Sequence, residues 1–152
     1  MKIRLLSARF WAMTATLALA GAALAQPTMP LAELGAGMYR IEAEVAHTFQ
    51  TRQIGLMNRR SMPGHRGMVF VFPDEATHCM WMRNTFLPLS VAFLDAEARI
   101  INIEDMQPQT ETNHCAAAPA RYALEMNIGW FAERGIKPGD RLRGFDGLPA
   151  PR

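Results

Sequence analysis

The chain has no G-x-S-x-G, no H-E-x-x-H, no phosphate-binding glycine loop and no dinucleotide fingerprint. The commonest nucleophile, zinc-hydrolase and nucleotide chemistries therefore lack their sequence signatures, and no cofactor is indicated. Arg59-Arg60 is the one basic doublet and there is no Lys/Arg cluster, so no electrostatic footprint for nucleic acid is present. Internal repeats and low-complexity tracts are missing, which excludes solenoids and disordered arrays. Long helical segments alternating with strands are missing too, which argues against a wound α/β sheet.

Long apolar runs are equally scarce. The longest, Phe10 to about Leu24, is alanine-rich and broken by Thr14 and Thr16, whereas a spanning helix needs roughly 20 strongly apolar residues. Lys2, Arg4 and Arg9 precede this run, and Ala23-Leu24-Ala25 follows it. That is the three-part form of a secretory signal peptide, with cleavage expected between Ala25 and Gln26. No cysteine follows the cut, so a lipid anchor is not indicated, and Arg4 and Arg9 are not the adjacent pair of a twin-arginine signal. The expected destination is the periplasm, or the exterior if the source lacks an outer membrane, with no transmembrane span left after cleavage.

Cleavage removes three of the 16 basic residues and none of the 14 acidic ones, leaving 13 against 14 and a net charge of −1. Removing 25 of the 152 residues leaves 127, enough for one domain with a real core. Residues 26–37 mix Pro27, Pro30, Gly35 and Gly37 without periodicity and read as an irregular lead-in. Residues 148–152 read as a tail, and 38–147 as the single domain.

Within that domain Tyr39, Ile41, Ala43 and Val45 alternate with Arg40, Glu42 and Glu44, the period of a half-buried strand. Thr48 is placed to cap a short helix through about Asn58, with Phe49, Leu56 and Met57 on its apolar side and Arg52 at the shoulder of that face. Met68 to Phe72 is continuously apolar, as expected of a strand covered on both faces, and Pro73 is expected to end it. Cys79 to Arg83 reads as a short strand. Leu89 to Leu94 and Arg99 to Glu104 read as a hairpin, Arg121 to Asn127 as an alternating strand, and Arg141 to Phe145 as a last strand. About seven short strands with one or two short helices predict a mainly β fold, a compact sandwich or partly closed barrel.

Four ordered motifs stand out: Thr51 to Met57 (TRQIGLM), Gly67 to Phe72 (GMVFVF), Trp81 to Thr85 (WMRNT) with Pro88-Leu89, and Leu124 to Gly129 (LEMNIG). In order and spacing they resemble the bacterial and archaeal family called domain of unknown function 192, across roughly residues 40 to 146. The resemblance implies a small mainly β fold, often behind a signal peptide, and no established catalytic activity. Two positions depart from the usual pattern: Arg83 stands where lysine is common, and Ala98 where the hairpin usually has glycine.

Arg52, Trp81, Arg83, Asn84, Thr85, Glu125 and Asn127 form the most polar constellation of these motifs. On one reading they line a cleft in which guanidinium and amide groups hold an anionic or hydroxyl-rich small molecule or envelope component, with Trp81 as an apolar wall. On the other they form a structural network, with Arg52 or Arg83 neutralised by Glu125 and Asn84 and Thr85 capping loop backbone.

A second constellation is His78-Cys79 with His114-Cys115. A cysteine pair in an exported chain points to a disulfide. The same four residues, extended by Met80 and Met82, would alternatively make a soft Cu or Zn site, although neighbours on a strand face opposite ways. The methionines otherwise fall at strand spacing and read as core. The expected function is a non-catalytic binding or accessory domain, with a cell-envelope hydrolase or lyase and a soft-metal carrier as the alternatives.

Overall fold

A computed structural model describes residues 28–152, so the expected signal segment 1–25 lies outside the described residues. The fold is mainly β. β1 (Leu31–Ala36), β2 (Tyr39–Ala46), β3 (Arg66–Ala76), β5 (Leu89–Leu94), β6 (Ile100–Met106) and β8 (Ala120–Asn127) form one sheet in the order β1-β2-β3-β8-β5-β6. β4 (Cys79–Met80) and β7 (His114–Cys115) pair separately, and the helices are short: α1 (Phe49–Ile54), α2 (Trp130–Glu133) and a 3-10 turn at Phe145–Gly147. β2 and β3 run parallel, with α1 in the crossover between them, and the other neighbours in the large sheet are antiparallel.

The sheet is open rather than a closed barrel. Residues 139–143 nevertheless hydrogen-bond near both of its edges, to Gly35 of β1 and to Ala98 and Ile100 at the start of β6. This segment replaces the expected strand at 141–145 with isolated bridges at Arg141 and Arg143, because it spans two edges and runs along neither.

Two apolar layers cover the sheet, which explains why β3 and β5 are apolar without alternation. One face packs Val45, Val69, Leu124 and Met126 against Trp130, Phe131, Leu142 and Phe145 from the C-terminal part of the chain. The other packs Met68, Phe70, Val91, Phe93 and Ala123 against Leu56, Met82, Leu87 and Ala116, which follow α1 or come from the loops. Gly67 sits where the layers leave no room, since a Cβ there would stand 2.6 Å from the Glu125 carbonyl oxygen and collide with the Met126 sulfur. Gly67→Ala is expected to cost about 2 kcal/mol, the middle of the overpacking range, measurable as a lowered urea midpoint at unchanged m-value.

Several boundaries differ from expectation. Residues 31–36 are a strand and not an irregular lead-in: β1 pairs in register from Leu31 with Glu44 to Ala36 with Tyr39, through a two-residue turn at Gly37-Met38. Only Leu34 and Ala36 of β1 are buried, the signal being too short to read as alternation. The expected tail is docked, since Arg152 receives a hydrogen bond from the Phe49 amide and donates one to the His47 carbonyl. β3 continues through Pro73 to Ala76 with a shift of register between Val71 and Ala76, and an irregularity of that kind accommodates a residue without an amide proton. β4 ends at Met80, short of Arg83. Ala98 holds the left-handed conformation, φ 59°, that glycine would adopt more cheaply.

Candidate functional site

Thr48 caps α1 as the sequence suggests, accepting from the Thr51 amide in a reciprocal box. The helix stops at Ile54, and Gly55 turns the chain with φ 48°. So short a helix covers the Phe70 and Phe72 side of the sheet incompletely. Between α1 and the β4 segment lies an open groove of about 740 Å³, with Ile54, Met57, Phe70, Phe72 and Met80 along it. Phe49, expected on the buried side of the helix, instead stands 68% exposed at this groove, and Trp81 is 45% exposed there.

Arg52, Trp81, Arg83 and Asn84 all line the groove. The Arg52 guanidinium donates to the carbonyls of His47, Val71 and Arg152, at 2.7, 3.1 and 3.2 Å. It thereby joins α1, β3 and the C-terminal segment, and it has no side-chain carboxylate partner among the described residues. Burial lowers its pKa from the ordinary arginine value without neutralising it. Arg83 lies over Trp81, 5.7 Å from the ring centroid, and faces Glu111 at 3.8 Å. Asn84 takes φ 55°, and its carbonyl accepts from the Asn58 amide, so its first role is the turn itself.

Glu125 is only 3% exposed. It stands opposite Met68 of β3 and Val91 of β5, on the face that carries Ala123. It lines a small chamber of about 30 Å³ together with Arg52, Phe70, Met80, Trp81 and Thr85. Arg52, Phe70, Met80 and Trp81 belong to the groove as well, so the chamber adjoins it. The expected ion pair to Arg52 or Arg83 does not form. Arg52 is taken by backbone carbonyls, Arg83 points to Glu111, and Arg59 bonds both oxygens of a different carboxylate, Glu44, at 2.5 and 2.7 Å. The Arg59 hydrogen bond holds Glu44 below the usual carboxyl range. Glu125 moves the other way, pushed up to about 8 by burial alone.

Thr85 is buried beside the chamber and donates to the Arg83 carbonyl. Asn127 does not join the cleft, since its amide donates to the Met62 carbonyl and ties the segment after α1 to β8. Sequence reasoning missed Ser90, which is buried, donates to Asp105 and accepts from the Gly129 amide, fixing the turn before α2. A lone serine in an apolar run carries no signal of that role.

Cys79 and Cys115 are bonded, with Cα atoms 4.0 Å apart in the β4–β7 pair. The alternative soft-metal set is therefore not assembled, because both sulfurs are consumed. His78 stacks on Phe72 at 3.8 Å and donates to the Asp74 carbonyl, whereas His114 faces Glu104. No group of three or more His, Cys, Asp or Glu side chains forms a ligand cluster among the described residues. No helix among them is long and apolar enough to cross a membrane.

The family model for DUF192, described as Uncharacterized ACR, matches residues 32–144. The chain belongs to the DUF192 family. Two crystal structures resemble this DUF192 domain. A protein from Sinorhizobium meliloti 1021, described as a candidate transcription regulator, is 32% identical with a TM-score of 0.77, over 82% of this chain and all of the other. A protein of unknown function from Novosphingobium aromaticivorans DSM 12444 is also 32% identical with a TM-score of 0.74, over 87% of this chain and 99% of the other. No functionally curated protein matches.

Proposed function

We propose that this DUF192 chain is an exported, non-catalytic binding domain whose groove takes a small molecule or envelope component with an apolar body and an anionic or hydrogen-bond-accepting end. The observation that carries this reading is the groove between α1 and the β4 segment, with exposed Phe49 and Trp81 beside an apolar lining and Arg52 and Arg83 as its cations. Pockets that hold small ligands are built this way, mostly apolar with a few convergent polar groups. The hydroxyl-rich ligand suits these walls less well.

Hydrolysis and elimination by general acid–base catalysis commonly draw on an acid and a base that converge on the reacting bond. Among the described residues Glu125 is the only titratable carboxyl lining the chamber, and His78 lines the groove but not the chamber, which supports binding over hydrolysis or elimination. Export accords with the disulfide, since such bonds persist in oxidising compartments. The regulator description of the Sinorhizobium protein is not extended to this chain, whose expected mature form has a net charge of −1 and no basic cluster.

The test is a titration of the mature protein with anilinonaphthalenesulfonate, an apolar anion. Saturable binding is expected, with affinity falling about tenfold in Trp81→Ala, equivalent to losing about 1.4 kcal/mol of apolar contact. Because Trp81 is nearly half exposed and outside both core layers, the unfolding midpoint should stay close to wild type. Absence of saturable binding, or equal affinity in Trp81→Ala, defeats the reading.

A further inference from the structure

We infer that Glu125 is the polar end of the groove's binding site, acting as a neutral carboxylic acid that donates a hydrogen bond to a carboxylate oxygen of the ligand. This deepens the binding reading above and rests on it. The group is nine-tenths buried or more, and it has no hydrogen-bond or ion-pair partner among the described residues. Buried polar groups are nearly always satisfied by the protein or by ordered water, so a carboxyl without a protein partner beside an open groove finds its hydrogen-bond partner in something that enters, a water in the empty groove and a ligand oxygen in the filled one. The chamber volume of about 30 Å³ exceeds the roughly 10–15 Å³ needed to admit a water. It accommodates a terminal oxygen, while the apolar body remains in the groove.

The charges around the chamber select the sign of the ligand. Among the described residues Arg52 of α1 is the one charged side chain in its lining other than Glu125 itself. The residues opposite Glu125 on β3 and β5 are Met68 and Val91, and on β8 itself Ala123 and Asn127 share its face. An incoming ammonium would meet the arginine and a protonated acid, whereas a carboxylate accepts from the acid and is drawn by the guanidinium. Burial keeps Glu125 protonated through neutral pH. Ionising it would set two carboxylates against each other and expel the ligand.

Octanoate is the probe, because it stays ionised throughout pH 7 to 9.5 and its own charge contributes no change there. Calorimetric affinity for the mature protein is expected to be nearly constant up to about pH 7.5, then to fall about tenfold per pH unit above about 8, with proton uptake on binding. Glu125→Gln, whose amide can still donate, should bind within a few-fold of wild type at pH 7 and lose the alkaline fall. Glu125→Met should bind about tenfold more weakly at pH 7, also without the fall. An affinity flat to pH 9.5 in the wild type, or an unchanged fall in Glu125→Gln, overturns the role of Glu125. If anilinonaphthalenesulfonate binds and octanoate does not, this inference fails and the groove reading stands. If neither binds, both fail.

Discussion

Glu125→Gln should be more stable than wild type by about 3–5 kcal/mol at pH 8.5 and nearly equal to it at pH 4. In the unfolded chain the carboxyl ionises near 4.5, whereas in the fold it holds its proton to about 8. Between those values the folded state binds the extra proton, so this group lowers stability by about 1.4 kcal/mol for each pH unit gained. The full interval would reach about 5 kcal/mol, and water entering the adjoining chamber reduces it. Glu44 acts in the opposite direction and in another window. The Arg59 hydrogen bond depresses its pKa, so its contribution is present above 4.5 and is lost as pH falls through its folded value. Together they place the stability maximum on the acidic side of neutrality. Urea unfolding at pH 4, 6 and 8.5 measures this, and a wild-type stability that does not decline between pH 5 and 8 would contradict it.

Removing the disulfide, by Cys79→Ser with Cys115→Ser or by reduction, is expected to lower stability by about 3–4 kcal/mol on the chain-entropy account. The bond closes a separation of 36 residues. It also pins a two-stranded sheet of only two residues per strand, too small to persist alone. Cys79 and Met80 line the groove and Trp81 follows them, so the same change should blunt anilinonaphthalenesulfonate binding. Comparison of urea midpoints with and without dithiothreitol checks the first effect. Two titratable thiols in protein recovered after export, with a midpoint insensitive to reductant, would refute it.

The local chemistry was largely legible. Alternation marked β2 and β8, the unbroken apolar run of β3 announced a strand covered on both faces, Thr48 announced its cap, and a pair of cysteines behind an expected signal peptide pointed to their bond. Each of these is a short-range pattern tied directly to backbone geometry. β1 was not legible, because an edge strand with two buried residues has no visible period and gains its order from pairing with β2. The exposure of Phe49 was hidden for a similar reason: a helical wheel gives the face of a helix, but not whether anything covers it.

The residues of the candidate site follow the same division. Composition and motif order determined that this chain is a mainly β member of its family, and they singled out Arg52, Trp81, Arg83, Asn84, Thr85, Glu125 and Asn127, because residue type and neighbour spacing are properties of the chain itself. Tertiary structure alone decided their partners. It gave the Arg52 guanidinium three backbone carbonyls, turned Arg83 towards Glu111, sent Asn127 to Met62, and left Glu125 unpaired between Met68 and Val91. Apart from the local contact of Arg52 with the His47 carbonyl, those outcomes depend on segments that arrive from 19 or more residues away. A carboxyl group on a strand has the same sequence whether a guanidinium or a methionine packs opposite it, and only the second arrangement makes it a protonated acid at neutral pH.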